Sequence, residues 1–305
     1  MSDAERDERF LRYSGIVNPQ KLLHSHVLVL GVGAIGRQVA LQLAAMGVGS
    51  VELCDMDTVE QVNLGAQGYR PNQIGQAKVE ATASDMHDIN PQIDTYAFDQ
   101  KFDKDFKIAD YTAVFVCVDC MDARKDAYDL CVEHGVPLID TRMSGLTAQA
   151  YYVSYDKVQQ DKYGTTLFSN EEAYPEPCTA RSVLFTSNII AGLAVSLWAQ
   201  SLRSELPYPF LSLSLTDYTL DPIEIEAPDP AHNLVEPPAR RQSTDWVRID
   251  ATATALSPPV QGLRRALNEL TRTGQTLTSP VSVEHLLQEV SPSEDAVPAE
   301  PQADF

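Results

Sequence analysis

Three glycines stand in the string GVGAIG, at Gly31, Gly33 and Gly36. Glycine allows the tight turn and the close backbone approach that a phosphate group needs. A helix opening behind such a loop aims N–H groups and a favourable dipole at an anion. An aspartate, Asp55, follows about twenty residues on, where the second strand of a βαβ unit brings a carboxylate to a ribose hydroxyl. NAD, FAD and ATP all offer a ribose and phosphates, so this pattern predicts a nucleotide without naming it. The bland alternative is a glycine-rich turn that only packs helix on strand. After Asp55 come Asp57, an Asn-Leu pair at Asn63 and Leu64, and a Gly-x-x-Lys ending at Lys78. A nicotinamide enzyme has no evident use for these.

The elements around these residues read as α/β. Residues 27–30, VLVL, form a short apolar strand of the kind buried inside a parallel sheet. Helical spacing over 37–49 and a second strand over 50–55 complete a βαβ unit. A helix is expected from about Gln76 to Asp88, stopped by Asn90-Pro91, then a strand and loop over 93–102 and a buried strand over 112–119. A helix over 123–134 and a strand over 136–143 follow. After Leu146 the alternation changes: 148–155 reads as an antiparallel strand, 156 to about 177 as a long polar loop, 182–203 as an apolar helix, and 210–226 as one strand or a hairpin. The fold class is thus a Rossmann-like, mostly parallel sheet flanked by helices and extended by antiparallel strands. From Ala227 the composition turns to proline, serine, threonine and acidic residues. This predicts an extension, 227–305, that is partly disordered, with a weak amphipathic segment at 262–272.

The 305 residues carry a formal net charge of −20, with 43 acidic against 23 basic side chains. Such a surface argues against nucleic acid and against anionic membranes as partners. The polar start, MSDAERDERF, is not a signal peptide, and the longest apolar run, 183–198, is short for a membrane span. A cytoplasmic location is the expectation. Five cysteines in irregular spacing do not form a disulfide framework. Cys117 and Cys120 make one Cys-x-x-Cys pair without a second, so no zinc is expected, because a structural zinc needs four ligands. The six histidines form no ligand pattern.

Taken in order, these motifs resemble the ThiF/MoeB family, adenylating enzymes related to ubiquitin activators. The resemblance covers about Phe10 to Ile225. It rests on Arg12-Tyr13, VLVLGVGAIG, D-x-D-x-V-x-x-x-N-L from Asp55 to Leu64, Gly75-x-x-Lys78, CVDCMDAR at 117–124, and Cys178 ahead of the late apolar helix. It implies an adenylation domain over 1–226, with a nucleotide core at about 26–145 and a crossover loop, helix and antiparallel extension at about 146–226. It also implies ATP and Mg²⁺, used to activate the C-terminal carboxylate of a ubiquitin-like protein. By the same resemblance Asp55 holds the ribose, Asn63 and Lys78 contact phosphates, Asp119 binds Mg²⁺, Asp57 orients the loop or helps with the metal, and Arg124 braces Asp119. Cys178 would receive the acyl group as a thioester. A homodimer is expected, and a conjugating-enzyme-like protein is a further partner in the bacterial branch that the string NLGAQGY resembles.

Two family arginines are absent: Gly15 and Ala66 stand at their positions. An arginine on a transferring phosphoryl group can supply several powers of ten in rate. Either Arg70, Arg37 or Arg12 replaces them, or the chain binds nucleotide without adenylating. Other readings in play are adenylation of a small carboxylate or peptide, ATP-dependent tRNA modification, which the acidic charge opposes, and an NAD-dependent oxidoreductase. The last leaves Asn63, Lys78 and Asp119 without purpose. The residues after Asp55 suit a triphosphate with a metal better than a nicotinamide.

Overall fold

The structure, a computed structural model, describes residues 12–13, 15–168, 182–203 and 208–225. The chain divides into two compact units, Met1–Val235 and Glu236–Phe305, and every described residue lies in the first. The expected boundary at 226–227, the tail and Cys178 fall outside the described residues.

The helices are α1 Pro19–Leu23, α2 Gly36–Met46, α3 Asn63–Gln67, α4 Lys78–Ile89, α5 Met121–His134, α6 Lys157–Gly164 and α7 Leu184–Ser201. The strands are β1 His26–Leu30, β2 Ser50–Asp55, β3 Asp94–Asp99, β4 Ala113–Val116, β5 Leu138–Ser144, β6 Thr147–Val153, β7 Phe210–Ser214 and β8 Thr219–Pro222. They form a single sheet in the order β3-β2-β1-β4-β5-β6-β7-β8. Pairs from β3 to β5 are parallel. Pairs from β5 to β8 are antiparallel. The expected mostly parallel sheet with an antiparallel extension is what the chain forms, and 210–226 resolves into a hairpin.

Successive side chains of a strand point to opposite faces, so a strand covered on both sides must be apolar throughout. All four residues of β4, AVFV, are buried. Val27, Val29, Phe115 and Ile139 face a core completed by Val39 and Leu43 of α2, Met86 of α4, and Ile190 and Trp198 of α7. Leu28, Leu30, Val114, Val116 and Leu138 face the other core, closed by Leu130 and Cys131 of α5 and Tyr163 of α6. The central strands therefore cannot slip by one residue without exchanging the two cores.

One expectation needs correction. The polar stretch after residue 156 does not begin as a loop: α6 occupies Lys157–Gly164. Asp156 caps it by accepting the Val158 N–H at 2.8 Å, and its one fully buried residue, Tyr163, fills the second core. A single buried ring gives little apolar periodicity, so the pattern of the sequence hides this helix. Among the described residues no helix is long and apolar enough to cross a membrane. The apolar α7 instead packs on the sheet, with Trp198 edge-on to Phe115 at 6.0 Å between ring centroids.

Removing that ring should leave a cavity between helix and sheet. Trp198→Ala is expected to cost about 3–5 kcal/mol of stability, read from urea denaturation. A loss under about 1 kcal/mol would mean that α7 is not part of the cooperative core.

Candidate active site

The order of the sheet reverses between β1 and β4, so their connections leave in opposite directions and open a crevice at the carboxyl ends of the strands. The glycine loop follows β1, and Cys117 to Cys120 follow β4. Gly31, at φ +80°, lies so close to the second turn that a Cβ there would stand 2.9 Å from the Cys117 carbonyl oxygen. A Cβ at Gly36 would stand 1.8 Å from the Gly31 carbonyl oxygen and 3.0 Å from the Cys117 Cβ. Only glycine lets these turns meet. At Gly33 the space is open apart from the Gln67 amide, 3.8 Å from where a Cβ would be.

The loop is held from both sides. Asp55 at the end of β2 accepts the Val32 N–H on Oδ2 at 2.8 Å and the Asp57 N–H on Oδ1 at 2.9 Å. The Tyr69 hydroxyl donates to the Val32 carbonyl at 2.7 Å and shares a hydrogen bond with Thr82 at 3.0 Å. Tyr69 was not among the expected site residues. Its signal is that of the one aromatic in the arm, residues 57–78, and it is buried in a small cluster with Val59 and Ala81. Burial raises the Asp55 carboxyl above its ordinary value. The two N–H bonds and the charge of Lys78 oppose that rise, and the charge of Asp57 adds to it.

Lys78 opens α4 and is buried, with its Nζ 2.8 Å from Asp57 Oδ2. Its own N–H donates to the Asp57 carbonyl at 2.9 Å, and a bridge between Thr58 and Ala77 fastens the same two segments. Asp55, Asp57, Lys78 and the glycine loop thus form one connected group. Asn63 is committed locally: its Oδ1 accepts the Glu60 N–H at 2.8 Å and shapes the entry to α3.

Asp119 lies on the other wall of the crevice. It is exposed and forms no hydrogen bond or ion pair among the described residues. The capping position of α5 is Cys120, not Asp119, so the carboxylate is not spent on the helix. Arg124, expected to brace Asp119 itself, instead bonds the backbone beside it: its Nη2 donates to the Val118 carbonyl at 2.5 Å and its Nη1 to the Thr141 carbonyl at 3.2 Å. Burial lowers the Arg124 guanidinium to about 10 and raises the Cys117 thiol to about 11, so Cys117 lies beneath the loop as a neutral group.

Two of the three arginines expected to replace the missing pair are engaged elsewhere. Arg37 is buried, with Nη2 2.6 Å from Asp85 Oδ2 and its guanidinium 4.9 Å over the Tyr69 ring. Arg70 pairs with Asp85 and, at 3.6 Å, with Asp88. Asp85 is seven residues beyond Lys78 on α4, which puts that cluster about 10 Å along the helix from the lysine. Arg12 is exposed. No group of three or more His, Cys, Asp or Glu among the described residues forms a metal cage.

The raised Asp55 carboxyl gives a pH test. A carboxyl that folding makes harder to ionise favours the fold below its unfolded pKa, about 3.9, and that advantage is lost as pH rises through the folded value. Asp55→Asn has no such titration. The stability of the wild type relative to this variant is expected to fall as pH rises from about 4 towards neutrality, measured as urea midpoints of both proteins. A difference that is flat or grows with pH would contradict the burial argument.

The model of the ThiF family matches residues 7–233 of the chain. The sulfur carrier protein ThiS adenylyltransferase of Escherichia coli is 30% identical over 225 residues, covering 69% of this chain and 88% of that protein. The ubiquitin-like modifier-activating enzyme 5 of Bombyx mori is 33% identical over 138 residues, covering 40% of this chain and 35% of the relative. In fold the chain is similar to E. coli MccB solved with ATP, with a TM-score of 0.61 at 19% identity over 74% of this chain and 73% of the other. The glycine loop, the ordered carboxylates and the lysine of the crevice therefore stand in a known framework: this chain belongs to the ThiF family and is a ThiF-type adenylyltransferase.

Proposed function

We propose that the protein uses ATP and Mg²⁺ to adenylate the C-terminal carboxylate of a ubiquitin-like or sulfur-carrier protein. The observation that carries this reading is the convergence on one switch-point crevice of the glycine loop, Asp55, Lys78 and an unpaired Asp119. In the reaction a carboxylate oxygen of the partner attacks the α-phosphorus. The bond from that phosphorus to the bridging oxygen breaks, pyrophosphate leaves with the electron pair, and an acyl-adenylate remains. Asp55 orients the ribose from the end of β2. The loop N–H groups receive phosphate oxygens at the start of α2. Lys78 exchanges its contact with Asp57 for one with phosphate, Asn63 approaches the phosphates from the arm, and Arg70 could join it only by leaving Asp85. Magnesium bound beside Asp119 would supply positive charge to the phosphate oxygens. The domain that does this spans residues 1–226, and two copies pair as a homodimer.

In a second step Cys178 takes the acyl group. Its sulfur attacks the acyl carbon, AMP leaves, and a thioester forms that a conjugating-enzyme-like partner accepts. Support for this step is the position of Cys178 in the sequence, ahead of α7.

A second reading, a nucleotide-binding scaffold without adenylation, is favoured by one observation. Arg37 and Arg70 both spend their charge on Asp85, so the crevice has Lys78 but no described arginine on the phosphates.

Calorimetric titration with ATP and Mg²⁺, with NAD as control, tests the shared part. Lys78→Ala and Asp119→Ala are each expected to weaken Mg·ATP binding by about tenfold or more, or about 1.4 kcal/mol. Absence of ATP binding by the folded wild type would sink both readings. Pyrophosphate–ATP exchange in the presence of a ubiquitin-like protein then separates them: exchange supports adenylation, while binding without exchange supports the scaffold. Cys178→Ala should retain exchange and lose the thiol-labile adduct with the partner on non-reducing gels. An adduct that persists in this variant rules out Cys178 as its attachment point.

A further inference from the structure

Asp140 in β5 has no solvent exposure, yet it is ionisable and belongs to no step proposed above. One of its oxygens pairs with Arg124. The other accepts Arg142 Nε at 2.8 Å and the Tyr163 hydroxyl at 3.0 Å. Arg142 lies flat over two rings, 4.8 Å from the centroid of Tyr151 and 5.6 Å from that of Tyr163. Its remaining donors reach the end of α6: Nη1 to the Thr166 carbonyl at 3.1 Å and Nη2 to the Thr166 hydroxyl at 2.8 Å. A line of ion pairs and hydrogen bonds therefore runs from Thr166 through Arg142, Asp140 and Arg124 to the carbonyl of Val118, the residue before Asp119.

A core filled only for stability has a cheaper solution, because apolar side chains of the same volume often replace buried ion pairs without loss. What the charged line adds is direction. Arg124 reaches the Val118 carbonyl because Asp140 fixes its guanidinium, and Asp140 is fixed by Arg142 and Tyr163. Only the planar fork of arginine can bond Asp140 and Thr166 together while stacking on two rings.

We infer that Asp140 and Arg142 are positioning residues that hold the Asp119 turn in place through Arg124, and that Thr166 anchors the far end. The consequence for magnesium rests on the adenylation reading, in which Asp119 is the metal-side carboxylate. The geometric consequence does not.

Two measurements on the full-length protein separate these. The first is hydrogen exchange of the nucleotide-free protein, read by mass spectrometry on peptides covering 117–120 and, as reference, 26–30. Arg142→Met keeps the apolar stem and removes the fork. It is expected to speed exchange in the 117–120 peptide several-fold and to leave β1 unchanged, while Arg142→Lys, which restores one donor, is intermediate. Equal exchange in all three proteins, or acceleration spread evenly through the sheet, would overturn the inference and leave the line as core structure. Should Arg142→Met not fold, Thr166→Val removes the hydroxyl bond at the half-buried end and is held to the same criterion. The second measurement is the Mg²⁺ concentration for half-maximal ATP binding. It is expected to rise several-fold in Arg142→Met while metal-free ATP binding stays within twofold. Faster exchange with no change in the magnesium requirement would keep the positioning role and reject Asp119 as the metal-side group. A wild type that binds no ATP would remove the proposed function alone.

Discussion

The active-site crevice depends on how closely two turns can approach at the switch point. Gly36 has no room for a Cβ, because the Gly31 carbonyl occupies that space, and the Cys117 carbonyl closes on Gly31 in the same way. With the turns in contact, β1 and β4 run side by side to their ends, from Val27 opposite Ala113 to Leu30 opposite Val116. The crevice then opens where the helix behind β1 and the helix behind β4 depart to opposite faces. A methyl group at Gly36 would move the loop off its neighbour and displace its backbone N–H groups. The Val32 peptide shows the same economy: Asp55 takes its N–H and Tyr69 serves its carbonyl, so the loop is set before any ligand arrives.

Around this contact the protein has invested in buried charge, which is costly unless every partner is in place. Asp85 gathers Arg37, Arg70 and the Gln73 amide on one side of the sheet. Asp140 gathers Arg124, Arg142 and Tyr163 on the other. Each cluster backs a segment of the crevice: the first fixes the arm that carries Lys78, and the second the turn that carries Asp119. Each of these carboxylates keeps more than one partner, so a single substitution weakens its cluster without leaving the buried charge alone.

The crevice itself is poor in positive charge. Asp55, Asp57 and Asp119 face a single described ammonium, Lys78, which already neutralises Asp57. A triphosphate entering this site would add to the negative charge. Its stabilisation would rest on the glycine-loop N–H groups, on Lys78 and on a divalent cation to a greater degree than where two arginines are present.

Local chemistry made much of this legible in the sequence. Apolar runs such as VLVL and AVFV can only be buried parallel strands, since each residue must face a core. The glycine string between strand and helix marks the tight turn after β1, because its backbone is possible for little else. Asp55 could be located by its distance from the glycine string, whereas Lys78 and Asp119 were marked only by the family resemblance. The helix at 157–164 was hidden because Tyr163 alone carries its burial. The role of Tyr69 was hidden because its partner, the Val32 carbonyl, is distant in sequence and brought near only by the sheet. The commitment of Arg37 and Arg70 to Asp85, and of Arg142 to Asp140 and Thr166, likewise depends on which side chains the packed elements bring within hydrogen-bond reach. Sequence determined where backbone must bend, bury or expose itself, since those demands are set by neighbouring residues. Which charges are free to meet a ligand and which are consumed by the fold was decided only in three dimensions, because desolvation and pairing depend on groups tens of residues apart.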